Sequence, residues 1–214
     1  MTIYAIVAVV VSYLIGSINF AVIFTKLFNH DDIRNYGSGN AGTTNVMRVG
    51  GIVPGTLTFL FDALKGFVAC FIGKTVFSCV NDSFSAEILL PLSGAYICAV
   101  ACILGHIFPV FFNFKGGKGV ATCVGVFAVC CPIAIVIGLL VFAVVTLISR
   151  YVSLGSLIAT VVVVVAATVF RTDDTSALVQ IVCCFIMATL IFCKHGGNIK
   201  RLLSGTERKI GEKV

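Results

Sequence analysis

Charge is scarce in this chain. Only 11% of its 214 residues are Asp, Glu, Lys or Arg, against 59% hydrophobic, and a mean hydropathy of +1.11 lies far above that of a soluble domain. Those figures exclude a water-soluble globule, and they exclude disorder, because apolar surface this abundant must be covered. The ten cysteines include no Cys-x-x-Cys pair and nearly all fall inside apolar runs, where Cys behaves as a small buried hydrophobe. Zinc sites, redox motifs and a disulfide scaffold are not indicated. No Lys or Arg precedes Lys26, and no small-x-small cleavage site follows the first apolar run, so that run is expected to be a retained span and not a cleaved signal. There is no internal repeat or low-complexity segment, which argues against an inverted-repeat transporter. The fifteen bases outnumber nine acids, yet they sit in short polar breaks and build no broad basic face, so no nucleic-acid partner is expected. What remains is an integral membrane protein.

A helix needs about 20 apolar residues to cross about 30 Å of hydrocarbon. Runs of that kind extend from Ile3 to Phe24, Ile52 to Phe77, Ile88 to Phe112, Leu154 to Phe170 and Ala177 to Cys193. The run from Val120 to Ile148 is too long for one span, and Cys131-Pro132 near its middle offers a break between two shorter helices. The expected fold is therefore an all-α, polytopic membrane helix bundle of about seven transmembrane helices, residues 1–214 forming a single domain. With the N-terminus outside and the C-terminus cytoplasmic, one side then collects Lys26, Arg34, Arg48, Lys115, Lys118, Arg150, Lys194, Lys200, Arg201, Arg208, Lys209 and Lys213, twelve of the fifteen bases. The positive-inside rule selects that orientation, which six spans do not reproduce. The first half of the split run, ending at Cys131, spans only about 18 Å as helix and is short for a crossing.

Three polar segments fall on that basic side. The first, residues 36–48, reads Tyr-Gly-Ser-Gly-Asn-Ala-Gly-Thr-Thr-Asn-Val-Met-Arg. Gly37, Gly39 and Gly42 match the dinucleotide fingerprint by letter, but that motif has meaning only between a strand and a helix, and here apolar helices flank it. The simpler physics is a tight glycine turn whose N–H groups converge on an anion, with Ser38, Asn40, Thr43, Thr44 and Asn45 as further donors and Arg48 as a forked cation. An ordinary glycine-rich connection is the competing reading.

The second segment, Asn-Phe-Lys-Gly-Gly-Lys-Gly at 113–119, runs straight into a helix start at Val120. Lys115 and Lys118 beside Gly116, Gly117 and Gly119 make another anion site, where helix end and ammonium act together. A positive-inside anchor would need the lysines but not the glycines. His106 lies near the same end and reads as a structural hydrogen-bonder. The third segment is the basic tail from Lys194 to Ile210, in which His195 and Asn198 share a helical face and Glu207 is placed to orient Lys or Arg side chains; pinning to anionic lipid is its alternative. Asp62 and Lys65, three apart inside the second span, either mark function or brace the bundle.

Together these residues resemble a known family, the bacterial acyl-phosphate:glycerol-3-phosphate acyltransferases. The likeness rests on Gly37-Ser38-Gly39-Asn40 through Asn45-Val46-x-Arg48, on Phe-Lys-Gly-Gly-Lys-Gly-Val-Ala-Thr at 114–122, and on His195-x-x-Asn198-Ile199-x-Arg201-Leu202 with Gly205-x-Glu207-x-Lys209-Ile210. It implies a multi-pass protein of the bacterial inner membrane with its site on the cytoplasmic face. The implied reaction moves a fatty acyl group from acyl phosphate to the 1-hydroxyl of glycerol 3-phosphate, giving lysophosphatidic acid and phosphate, without a cofactor or metal. It also implies a functional link to the enzyme that makes acyl phosphate and to the second acyltransferase.

By the same resemblance Ser38, Lys118, His195, Asn198 and Glu207 are expected to be catalytic, while Gly37, Gly39, Asn40, Gly42, Asn45, Arg48, Gly116, Gly117 and Gly119 bind the phosphates. The His-x-x-x-x-Asp motif of CoA-dependent acyltransferases is missing, since Asn35, Phe111 and Lys200 stand five positions after the three histidines. A mixed anhydride needs positioning and charge neutralisation but no covalent nucleophile. The hydroxyl proton then goes either to His195, oriented by Asn198, or to the departing phosphate. The competing function from another class is a transporter for phosphorylated solutes, which would need polar groups through both halves of the membrane.

Overall fold

The computed structural model describes residues 2–29, 31–84, 91–171 and 177–212. Ten α-helices, two short 3-10 turns (Ile33–Asn35 and Val110–Phe112) and no strand occur among those residues, the α-helices in order being α1 (Thr2–Gly16), α2 (Phe20–Asn29), α3 (Thr43–Val49), α4 (Ile52–Phe84), α5 (Pro91–Ile107), α6 (Val120–Cys130), α7 (Pro132–Ser149), α8 (Val152–Val169), α9 (Ala177–Lys194) and α10 (Gly196–Leu203). The all-helical membrane bundle is thus observed. Its outer face is apolar, with Leu147 79% and Leu178 74% exposed, a surface suited to lipid.

Among the described residues, six stretches are long and apolar enough to cross a membrane: Ile3–Asn29, Ile52–Cys79, Pro91–Phe112, Pro132–Ser149, Val152–Val169 and Ala177–Lys194. The seventh of the sequence reading, α6, has only 11 residues, about 16 Å at 1.5 Å per residue. Pro132 opens α7 at its first position, and α6 ends at Cys130, two residues before it, with Cys131 between them, as the fixed φ and missing N–H of proline require. The expected start of the third span at Ile88 lies outside the described residues.

The first span differs from expectation. It breaks at residues 17–19 and runs on to Asn29. Asn19 restarts the helix by accepting the Val22 N–H through Oδ1 at 3.2 Å, an N-cap in the middle of an apolar run. The break exposes the Ile18 carbonyl, which takes the Lys65 ammonium at 2.8 Å.

Helices cross where glycine lets backbones touch. A Cβ on Gly16 would collide with the Cys102 carbonyl of α5, and one on Gly105 with the Tyr13 carbonyl of α1. This is the small-residue packing that lipid, offering no hydrophobic drive between helices, demands. The core then fills with Tyr96, Ile103, Ile107, Val126, Phe127 and Met187. Eight of the ten cysteines are buried, in keeping with their reading as core hydrophobes.

The loops after α2, α5, α7 and α9 gather at one end. Arg150, between α7 and α8, receives the Ile210 N–H on its carbonyl and donates its guanidinium to the Ile210 carbonyl, both at 2.8 Å. The tail therefore folds back across the bundle end instead of leaving it.

Candidate functional site

The first polar segment is built around Asn45. Its Oδ1 accepts the Ser38 N–H at 3.0 Å and its Nδ2 donates to the Tyr36 carbonyl at 3.0 Å, with the residue 1% exposed. Both ends of the amide are spent inside the loop, so Asn45 shapes the turn. Gly37 and Gly39 take φ of +61° and +69°, the left-handed region that glycine enters without penalty, and a Cβ on Gly37 would collide with Asn45 Oδ1. Gly42, in extended backbone, caps α3, Asn40 lies against it, and Ser38 is exposed.

Arg48, in the last turn of α3, feels Glu207, Glu212, Arg201 and Arg208 from the tail; burial and the Arg208 charge hold its guanidinium below its ordinary value. The same segment is anchored by Asp32, which caps the turn Ile33–Asn35 and pairs with Arg34 at 2.8 Å, while Arg34 Nη1 donates to the Phe112 carbonyl at 2.8 Å.

The second segment packs on the first. Gly117 donates its N–H to the His106 carbonyl at 3.1 Å, an orphan acceptor at the end of α5. A Cβ on Gly116 would strike that carbonyl; one on Gly117 would strike His106 Nε2 and stand 2.6 Å from the Ala41 carbonyl of the first segment. These two glycines are therefore needed for close approach, a role the anion-loop reading did not foresee. Gly119 has φ +90° and caps α6 without a side-chain hydrogen bond, leaving the N–H groups of its first turn for another acceptor.

The third segment meets the second through Lys118, whose ammonium donates to Asn198 Oδ1. Asn198 Nδ2 donates to Glu207 Oε1 at 2.6 Å, Ser153 Oγ donates to the same oxygen at 2.8 Å, and Arg201 Nε reaches Glu207 Oε2 at 2.7 Å. Burial raises the Glu207 carboxyl, but the hydrogen bonds from Asn198, Ser153 and Arg201 outweigh it and hold the group below its usual range. It stays ionised. Burial also lowers the Lys118 ammonium to about 8, helped by Arg201, Arg48 and Lys194 and opposed by Glu207.

His195 is 2% exposed. Its Nδ1 lies 2.9 Å from the Ile191 carbonyl; a carbonyl only accepts, so Nδ1 carries the proton and Nε2 keeps its lone pair. Burial, then the Lys118 charge, push the imidazole down to about 4. It is neutral near pH 7.

A cavity of about 440 Å³ opens between the first two segments, with Arg34, Gly39, Lys115, Gly116 and Lys194 in its wall. On the membrane side, an apolar cavity runs between α6, α7, α8 and α9, lined by Val120, Phe127, Gly138, Phe142, Val163 and Ile191 among others. Val120 is two residues from Lys118, and Ile191 carries the carbonyl that holds His195, so the apolar cavity abuts the polar end.

The three segments of the sequence reading are thus brought together: Lys118 to Asn198 and Glu207, Gly117 to Ala41, and Arg48 into the field of the tail. Ser153, Arg201, Arg34 and Lys194 were not among the expected site residues. Arg201 stood in the quoted motif; Ser153 gave no signal, being one hydroxyl at the start of an apolar helix.

The model of the family described as glycerol-3-phosphate acyltransferase matches residues 6–205. A protein of a Thermoanaerobacter species named glycerol-3-phosphate acyltransferase is 42% identical over 211 residues, covering 99% of this chain and 98% of that one. Two solved structures of PlsY (YgiH), described as an integral membrane glycerol 3-phosphate acyltransferase, superpose closely. The glycerol 3-phosphate form has a TM-score of 0.81 at 38% identity over 97% of this chain and 96% of that chain. The lysophosphatidic acid form gives 0.78 at 36% over 97% and 95%. This chain belongs to the glycerol-3-phosphate acyltransferase family.

Proposed function

We propose that this chain transfers a fatty acyl group from acyl phosphate to the 1-hydroxyl of sn-glycerol 3-phosphate, releasing phosphate and 1-acyl-sn-glycerol 3-phosphate. This is the first acylation of phospholipid synthesis, carried out at the cytoplasmic face of a bacterial inner membrane. The observation that carries the reading is the meeting of a basic, glycine-looped end with an apolar cavity that begins at Val120 and Ile191. Two phosphates find Lys118, Arg48, the α6 N-terminus and the glycine turns; one acyl chain finds the cavity. The solved relative's glycerol 3-phosphate and lysophosphatidic acid forms support the acceptor and the product.

In the reaction the hydroxyl oxygen attacks the carbonyl carbon of the mixed anhydride. The bond from that carbon to the phosphate oxygen breaks, and phosphate leaves with the electron pair. Lys118 and Arg48 neutralise the charge that builds on the leaving group and hold the acceptor's phosphate. Ser38, exposed beside Gly37 and Gly39, supplies a further donor. Asn198 and Glu207 fix the Lys118 ammonium, and His195 presents Nε2 without a proton. A group that titrates near 4 is a poor base at neutral pH, so the proton passes to the departing phosphate oxygen, which is already adjacent. The positive-inside orientation, with C-terminus and site cytoplasmic, gives access to the soluble acceptor and links the chain to the enzyme that makes acyl phosphate and to the second acyltransferase.

The test is to supply purified protein with glycerol 3-phosphate and palmitoyl phosphate and to assay lysolipid and phosphate, with palmitoyl-CoA as control. Turnover with the phosphate donor alone is expected; turnover with the thioester alone overturns the donor. His195→Gln is expected to lose less than about a hundredfold in kcat, and a larger loss with unchanged binding would assign the base to His195.

A further inference from the structure

A second cluster of titratable groups lies one layer below the site, inside the membrane-spanning helices. Asp62 is 1% exposed, Lys65 3% and His106 6%. The Lys65 ammonium is 2.8 Å from Asp62 Oδ1 and 2.8 Å from the Ile18 carbonyl at the break between α1 and α2. The same Asp62 oxygen faces His106 Nδ1 at 3.5 Å. Charges at this depth are costly and persist where they do something.

Among the described residues no hydrogen bond or ion pair joins the cluster's side chains to the Lys118–Asn198–Glu207 network, yet the cluster touches the loop that carries Lys118. His106 holds Gly117 by its main-chain carbonyl at 3.1 Å, and its Nε2 lies against the Gly117 Cα, with the Ala41 carbonyl beside it. With Nδ1 turned to Asp62, the ring can present only Nε2 and its neighbouring edge to the loop. The imidazole is wedged under the junction of the first and second segments, and the residue after Gly117 is Lys118.

We infer that Asp62, Lys65 and His106 form a buried relay of positioning residues that ties the helix break at Ile18 to the Gly117 loop and so sets where the Lys118 ammonium stands. The inference rests on the reading of the polar end as a phosphate site and adds to it the residues that hold its lysine. A loop displaced by about 1 Å at a reacting centre costs about a hundredfold in rate.

The relay is tested in full-length protein in lipid nanodiscs, by kcat/KM and by calorimetric binding of glycerol 3-phosphate. Binding does not depend on the acyl donor, so a wild type that binds the acceptor but rejects palmitoyl phosphate sinks the donor assignment and leaves the relay testable. Asp62→Asn with Lys65→Met removes both charges together, which buried pairs tolerate far better than loss of one. Its thermal midpoint is expected near wild type while kcat/KM falls at least about tenfold. His106→Leu and His106→Asn keep the ion pair and carry the same test should that double variant not fold. Leucine is expected to lose about a hundredfold, whereas asparagine, whose amide can stand where Nδ1–H did, stays within about threefold of wild type.

A double-mutant cycle with Lys118→Gln separates positioning from general loosening. If His106 acts through Lys118, His106→Leu adds little to the loss already caused by Lys118→Gln. Full additivity of the two, wild-type kcat/KM in a folded His106→Leu protein, or asparagine no better than leucine would each overturn the inference.

Discussion

Two carboxylates sit at two depths of this bundle. Asp62 lies among the spanning helices, between a lysine ammonium at 2.8 Å and a histidine ring nitrogen at 3.5 Å. Glu207 lies on the tail at the polar end and is fixed mostly by neutral donors, Asn198 and Ser153, with Arg201 on its second oxygen. Both carboxylates lead to the same residue. Glu207 reaches Lys118 through the Asn198 side chain, Asp62 through His106 and the main chain of Gly117. The difference shows how surroundings set the cost of bracing. At the polar end the compensating cation, Arg201, keeps a side chain 43% exposed; among the spanning helices it is Lys65, 2% exposed, which must be buried together with its carboxylate.

The largest expected break in this comparison is Asp62→Asn alone. It strands the Lys65 ammonium 3% exposed and should cost about 3–5 kcal/mol of stability, read as a large fall in thermal midpoint; a midpoint at wild type would mean the deep carboxylate is not paired as described. Glu207→Gln should do the opposite, leaving the midpoint nearly unchanged while kcat falls about tenfold to a hundredfold, because an amide cannot accept from three donors as a carboxylate does.

Next comes pH. Lys118 titrates at about 8, and a lysine loses its charge as pH rises through its pKa. Its share of phosphate binding is therefore complete below about 8 and lost above it. The expected profile of kcat/KM falls by up to about tenfold per unit on that side. Lys118→Arg, whatever its absolute rate, should flatten that limb because guanidinium stays charged. The smallest effect is expected for Ser153→Ala, which removes one of three donors to Glu207 at about 0.5–1.5 kcal/mol, seen as a severalfold loss of rate with normal expression.

Much of this was legible in residue order. Apolar runs gave the helices because lipid leaves backbone groups no other partner, and three glycine- and lysine-bearing breaks marked the polar end. Four features were not legible. The break at Ser17 to Asn19 needs the tertiary partner Lys65 to satisfy Ile18, which no local pattern displays. Asn45 reads as a phosphate donor by type, but only the folded loop shows both its amide ends already used. Gly116 and Gly117 read as anion-cradling, while their tightest demand is the passage against His106. The return of the tail to Arg150 and Ser153 joins residues about sixty and fifty positions apart, a long-range closure that periodicity cannot encode.

The most direct check of the whole account is topological. Single cysteines placed at the exposed Lys115 and Lys200 positions should both react with an impermeant maleimide in inverted inner-membrane vesicles and both stay silent in intact cells. Reaction of the two from opposite sides of the membrane would contradict it, since one cytoplasmic site could not then be built from the second and third segments.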